Sequence, residues 1–151
     1  MTDYNIMISQ AEGLLEEEGF YVPALANISA LIWDSLDRLN WAGFYIVRNG
    51  RLVLGPFQGK VACIHIEKGR GVCGTAWDKD ETTVVPDVHK FPGHIACDSA
   101  SNSEIVIPVR NNGGVVAVLD IDSPVFSRFD DEDRKGLERL VKALEDAVRW
   151  E

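Results

Sequence analysis

Apolar positions along this chain change period from helical to alternating and back. Residues 1–40 read as helical: Leu14 and Leu15 precede a break at Gly19, and Ile28, Leu31, Ile32, Leu36 and Leu39 follow at three-to-four spacing. Pro23 suits the first turn of the second helix, where its missing N–H goes unneeded. The period then shortens. Trp41-Ala-Gly-Phe-Tyr-Ile-Val47 predicts a strand, Asn49-Gly50 a two-residue hairpin turn, and Leu52-Val53-Leu54 the returning strand. Val61 to Ile66 predicts a third strand, and Gly69 to Trp77 a glycine-rich lead into a short helix. Glu104 to Val109 and Val115 to Ile121 predict a last pair of strands across Asn111-Asn112-Gly113-Gly114. Phe129 to Trp150 returns to helical spacing, with Leu137, Leu140, Val141, Leu144 and Val148 as its stripe and Asp130 as N-cap. Helices at both ends of a meandering antiparallel sheet make an α+β domain, with the terminal helices covering one face.

Length favours one compact domain spanning residues 1–151, able to fold without disulfide staples. The net charge of −9 disfavours nucleic acid and anionic membrane as partners. No segment approaches the run of about 18 apolar residues that spans a membrane, and the N-terminus lacks the basic and apolar regions of a secretory signal. These features predict a cytoplasmic protein, where a disulfide is transient rather than structural. Three cysteines, an odd number, point the same way.

Those cysteines are the first chemical candidates. Cys97 sits in the polar stretch Phe91-Pro-Gly-His-Ile-Ala-Cys-Asp-Ser-Ala-Ser-Asn-Ser-Glu104, a composition that belongs to a loop. Cys63 lies in the strand-like run Val-Ala-Cys-Ile-His and reads as a core residue unless it partners another thiol. Cys73 opens the predicted short helix, where the dipole would favour a thiolate and lower its pKa; alone it reads equally as a small residue packed beneath the glycines. Together they have the parts of a sulfenic-acid and resolving-thiol system.

Acidic residues supply the second group. Asp120 and Asp122 alternate with Leu119 and Ile121, so both carboxylates face one side of their strand, with Val116 and Val118 further back on that side. Like charges at that spacing raise at least one pKa, unless a cation or a shared proton relieves them. The 111–114 turn brings Glu104 towards the same place. Trp41 and Tyr45 share a strand face and are candidates to line one pocket. Neither Cys63-Ile-His65 nor His94-x-x-Cys97 has structural-zinc spacing, and the 69–74 glycines lack the Lys-Ser/Thr ending of a phosphate loop. No resident metal and no cofactor are expected.

The segments Trp41–Tyr45, Gly69–Ala76, Phe91–Ser101, Ser103–Pro108 and Leu119–Pro124 closely resemble the free methionine-(R)-sulfoxide reductases, small enzymes with a GAF fold. The resemblance implies reduction of free L-methionine (R)-S-oxide, with Cys97 as nucleophile and Cys63 as resolving thiol. Cys73 remains an alternative partner. It also implies a carboxylate cluster of Glu104, Asp120 and Asp122 for the substrate, a hydrophobic wall of Trp41 and Tyr45, and a thioredoxin-like reductant. Two rival readings are a non-enzymatic GAF sensor of a small ligand and a reductase of protein-bound methionine sulfoxide. A homodimer through the terminal helices is an expectation by fold analogy alone.

Overall fold

The computed structural model describes residues 2–95 and 99–151. Helices α1 (Tyr4–Glu17) and α2 (Tyr21–Ser35) come first, and the hairpin β1 (Trp41–Arg48) and β2 (Arg51–Gly59) follows. Next come β3 (His65–Ile66), α3 (Gly71–Lys79) and β4 (Thr83–Val85). A turn of 3-10 helix at Val88–Lys90 precedes β5 (Ser103–Asn111) and β6 (Gly114–Ser123), and α4 (Asp131–Ala147) closes the fold. The six strands form one antiparallel sheet in the order β3-β2-β1-β6-β5-β4.

Alternation along the three central strands sorts the side chains into two layers. Ala42 and Phe44 of β1, Ile105, Ile107 and Val109 of β5, and Ala117, Leu119 and Ile121 of β6 face α1, α2 and α4, and they form the main core. The predicted N- and C-terminal helices therefore share one face of the sheet, as their apolar stripes require. Asp130 caps α4 by accepting from the Asp133 N–H, and Asp133 returns the bond to the Asp130 N–H. The opposite face carries Trp41, Tyr45, Val106 and Val118, covered by α3 and the segments before β3 and β5.

Both hairpins turn as predicted, with positive φ at Asn49 and Gly50 and at Asn112 and Gly113. The second hairpin carries a bulge that the sequence hid. Arg110 pairs with Val115 but Val109 pairs with Ala117, so Val116 is an extra residue. The slip sets Glu104 opposite Asp122 and Val106 opposite Asp120. It also overturns the assignment of Val116 to the carboxylate face, since Val115 is the one that packs with the second cluster.

Two strands differ from expectation. β2 runs on to Gly59, whereas the third strand shrinks to His65–Ile66. Val61 to Ile64 is irregular chain, and Val61 is 88% exposed. Only Leu52 and Val53 of β2 pair with this edge, so alternation further back has no partner to hold it. The short edge strand β4 carried no sequence signal of its own.

Candidate active site

The sheet's second face floors a small cavity of about 50 Å³. Register builds its floor. Asp122 stands between Trp41 of β1 and Glu104 of β5, and Asp120 stands between Gly43 and Val106. Gly43 is required here, because a Cβ on it would lie 2.3 Å from the Cβ of Phe57. Its absence lets Phe57 approach and stack on Trp41, with ring centroids 5.1 Å apart. Tyr45 stacks on the Trp41 ring at 5.8 Å, and Trp41 Nε1 donates to the Lys60 carbonyl at 3.1 Å. The indole is thus fixed as one wall, 3% exposed.

All three predicted carboxyl residues line the cavity and are buried, Glu104 at 5%, Asp120 at 6% and Asp122 at 9% exposure. Burial pushes the Glu104 pKa well above the ordinary carboxyl range, and the charges of Asp120 and Asp122 push it further. That shift favours the protonated form of Glu104, a donor beside two acceptors. Asp120 is also raised by burial, against the opposing effect of hydrogen bonds from Glu104 and Cys73 and of nearby His94. Its Oδ1 nevertheless has no hydrogen-bond partner. An unsatisfied buried carboxylate oxygen facing a cavity suits an incoming N–H donor or cation.

The thiols are not equivalent. Cys63 is half-buried in the irregular chain before β3 and is disulfide-bonded. Its carbonyl accepts from Tyr45 Oη at 2.9 Å, which ties the segment to the aromatic wall. The strand-like core setting expected for it does not form, because β3 ends short. Cys73 is a free thiol in the first turn of α3, 4% exposed. The expected lowering of its pKa is overturned. Burial, followed by the charges of Asp120, Glu104 and Asp122, raises it well above the thiol range, and these outweigh the helix dipole. Cys97 lies outside the described residues.

Sequence reasoning gave His94 no part in the pocket. Its Nε2 lies 4.0 Å from Glu104 Oε1, and Ile95 lines the cavity beside it. Burial lowers the His94 pKa, repulsion from His89 adds to that, and Asp120 opposes both. The far end of the same segment is pinned. Asn40 Nδ2 donates to Ser101 Oγ at 2.9 Å, Asn102 Nδ2 donates to the Pro124 carbonyl at 2.8 Å, and Asn102 Oδ1 meets His89 Nε2 at 2.8 Å. The polar composition of the stretch carried that signal, but its partners Asn40, His89 and Pro124 come from three other parts of the chain. Gly71 and Val72 at the start of α3 also line the cavity.

An antiparallel sheet with its terminal helices on one face and a ligand chamber on the other defines the GAF class, and the GAF domain profile matches residues 24–149. The chain is 54% identical over 132 residues to the free methionine-R-sulfoxide reductase of Escherichia coli, covering 87% of this chain and 80% of that one. The reduced form of the Staphylococcus aureus fRMsr superposes with a TM-score of 0.96 at 49% identity, covering 99% and 97% of the two chains. The Neisseria meningitidis free methionine-R-sulfoxide reductase, solved in complex with its substrate, gives 0.92 at 44% identity, covering 95% and 87%. The chain belongs to the free methionine-R-sulfoxide reductase family of GAF-domain proteins and is an oxidoreductase. The non-enzymatic sensor reading is set aside on the same grounds.

Proposed function

We propose that this protein reduces free L-methionine (R)-S-oxide to L-methionine through cysteine redox chemistry. The observation that carries the reading is the buried Glu104–Asp120–Asp122 floor, with its unsatisfied Asp120 oxygen, beneath the aromatic wall of Trp41 and Tyr45. A free amino acid brings an ammonium group for the carboxylates. Its methyl sulfoxide end brings a small apolar group for the indole and an oxygen for the Glu104 proton. A methionine sulfoxide within a peptide has no ammonium group, so its approach would bury an acceptor without a donor.

In this reading Cys97 thiolate attacks the sulfoxide sulfur. The oxygen takes a proton from the carboxyl cluster, and methionine leaves as the oxygen passes to Cys97 as sulfenic acid. Cys63 thiol then attacks the Cys97 sulfur, releasing water and forming a disulfide. A thioredoxin-like dithiol exchanges with that disulfide and returns both thiols. The disulfide-bonded state of Cys63, beside a free and buried Cys73, supports Cys63 over Cys73 as the resolving thiol. The roles of all these residues, the extent of the catalytic unit over residues 1–151, the cytoplasmic location and a homodimer belong to this proposal. Among the described residues no helix is long and apolar enough to cross a membrane.

A Cys97→Ser variant tests the reading, with dithiothreitol as reductant and free methionine as the product measured. Turnover is expected to vanish. Wild-type turnover in that variant would remove Cys97 from its role.

A further inference from the structure

Cys73 has no task in the reaction above, yet it points into the same cavity as the two carboxyl groups that do. Cys73 Sγ and one oxygen each from Glu104 and Asp120 lie within 4.8 Å of one another. His94 Nε2 stands 4.0 Å from Glu104 Oε1. A thiol, an imidazole and two carboxyl groups are a donor set that the substrate's ammonium group does not need.

We propose that Cys73, Glu104 and Asp120, with His94 as fourth donor, form a binding site for Zn²⁺, and that zinc competes with the amino-acid substrate for the chamber. The cluster alone would not support this. The independent observation is the Asp120 Oδ1, which has no hydrogen-bond partner in a side chain only 6% exposed. A tetrahedral zinc with bonds of about 2.0 to 2.3 Å holds its donors about 3.3 to 3.8 Å apart. The Cys73, Glu104 and Asp120 donors, within 4.8 Å of one another, close to that size with shifts of about 1 Å. The cavity, with exposed Val61 and Arg70 at its lining, gives the ion a way in.

Donor chemistry selects the metal. Thiolate and imidazole favour zinc over the hard cations, because Mg²⁺ and Ca²⁺ take shells of oxygen at six or more positions. One thiolate and two carboxylates meet a divalent ion, leaving a single negative charge on the site, and the protons of the Cys73 thiol and the Glu104 carboxyl leave to solvent. Metal binding itself does not depend on the reductase reading. Competition does, because it needs the substrate's ammonium group on the same Asp120 oxygen.

The test is a Co²⁺ titration of the disulfide-bonded protein, in which Cys73 is the free thiol. A thiolate-to-cobalt charge-transfer band in the near ultraviolet is expected, with tetrahedral bands in the visible, saturating at one equivalent and displaced by Zn²⁺. Cys73→Ser should abolish the charge-transfer band, and Asp120→Asn should weaken binding by about tenfold or more. No band in the wild type, or an undiminished band in Cys73→Ser, would overturn the site. Free methionine sulfoxide should displace the cobalt. A band that forms as expected but resists the sulfoxide overturns the competition alone, and the turnover assay reports separately on the reductase reading.

Discussion

Replacing Glu104 by Gln should make the protein more stable above mild acidity, and increasingly so as pH rises. Glu104 is buried opposite Asp122 and hydrogen-bonded to Asp120, and its pKa in the fold lies well above the ordinary 4.5. In the unfolded chain the same carboxyl ionises near 4.5. A carboxyl raised by folding gives its full contribution below the unfolded value and loses it as pH climbs towards the folded value. In that window the folded state holds the extra proton, so stability falls by about 1.4 kcal/mol for each pH unit. Gln keeps the shape and a donor but has no proton to hold. The two proteins should therefore match near pH 4.5, diverge along that slope in favour of the variant, and run parallel again once the buried carboxyl ionises. Urea unfolding followed by tryptophan fluorescence, at fixed disulfide state, measures the difference across pH. A constant difference from about pH 5 to about pH 8 would refute the claim that Glu104 is held protonated.

Three further outcomes follow from the geometry. Cys63→Ser should allow a single turnover and then stall with a protein dithiol as reductant, whereas Cys73→Ser should keep cycling; quantifying methionine per enzyme separates the two. Trp41→Phe should lose the hydrogen bond to the Lys60 carbonyl, costing about 1 kcal/mol in chemical denaturation, and should raise KM more than it lowers kcat. Arg128, with its side chain 5% exposed between Asp37 and Asp133, ties the chain after α2 to the start of α4. Arg128→Met should destabilise by about 3 kcal/mol in urea unfolding, since it removes the cation facing the largely buried Asp133 carboxylate, which keeps only its bonds from Tyr4 and the Asp130 N–H.

How much of this was legible in the sequence depended on the range of the interactions involved. The two Asn-Gly-type turns were readable because positive φ is a property of two adjacent residues. Asp120 and Asp122 shared a face as alternation required, and the common face of Trp41 and Tyr45 followed from the same rule. Glu104 was expected near them, but its place opposite Asp122 depends on the bulge at Val116, which no local pattern announces. Cys73 shows the same limit. Its place at a helix start was readable, but the sign of its pKa shift was not, because burial and three carboxyl groups from other strands decide it. Cys63 left the predicted strand because β3 pairs over only two residues, a matter of what β2 offers it. His94 entered the chamber through the path of its loop.

The most direct measurement is an incubation of the reduced protein with free racemic methionine sulfoxide and dithiothreitol, resolving the two sulfoxide epimers and methionine by chromatography. The account predicts that the R epimer is consumed and appears as methionine, that the S epimer remains, and that a peptide-bound sulfoxide is untouched. Release of no methionine, loss of both epimers alike, or equal turnover of the peptide would contradict it.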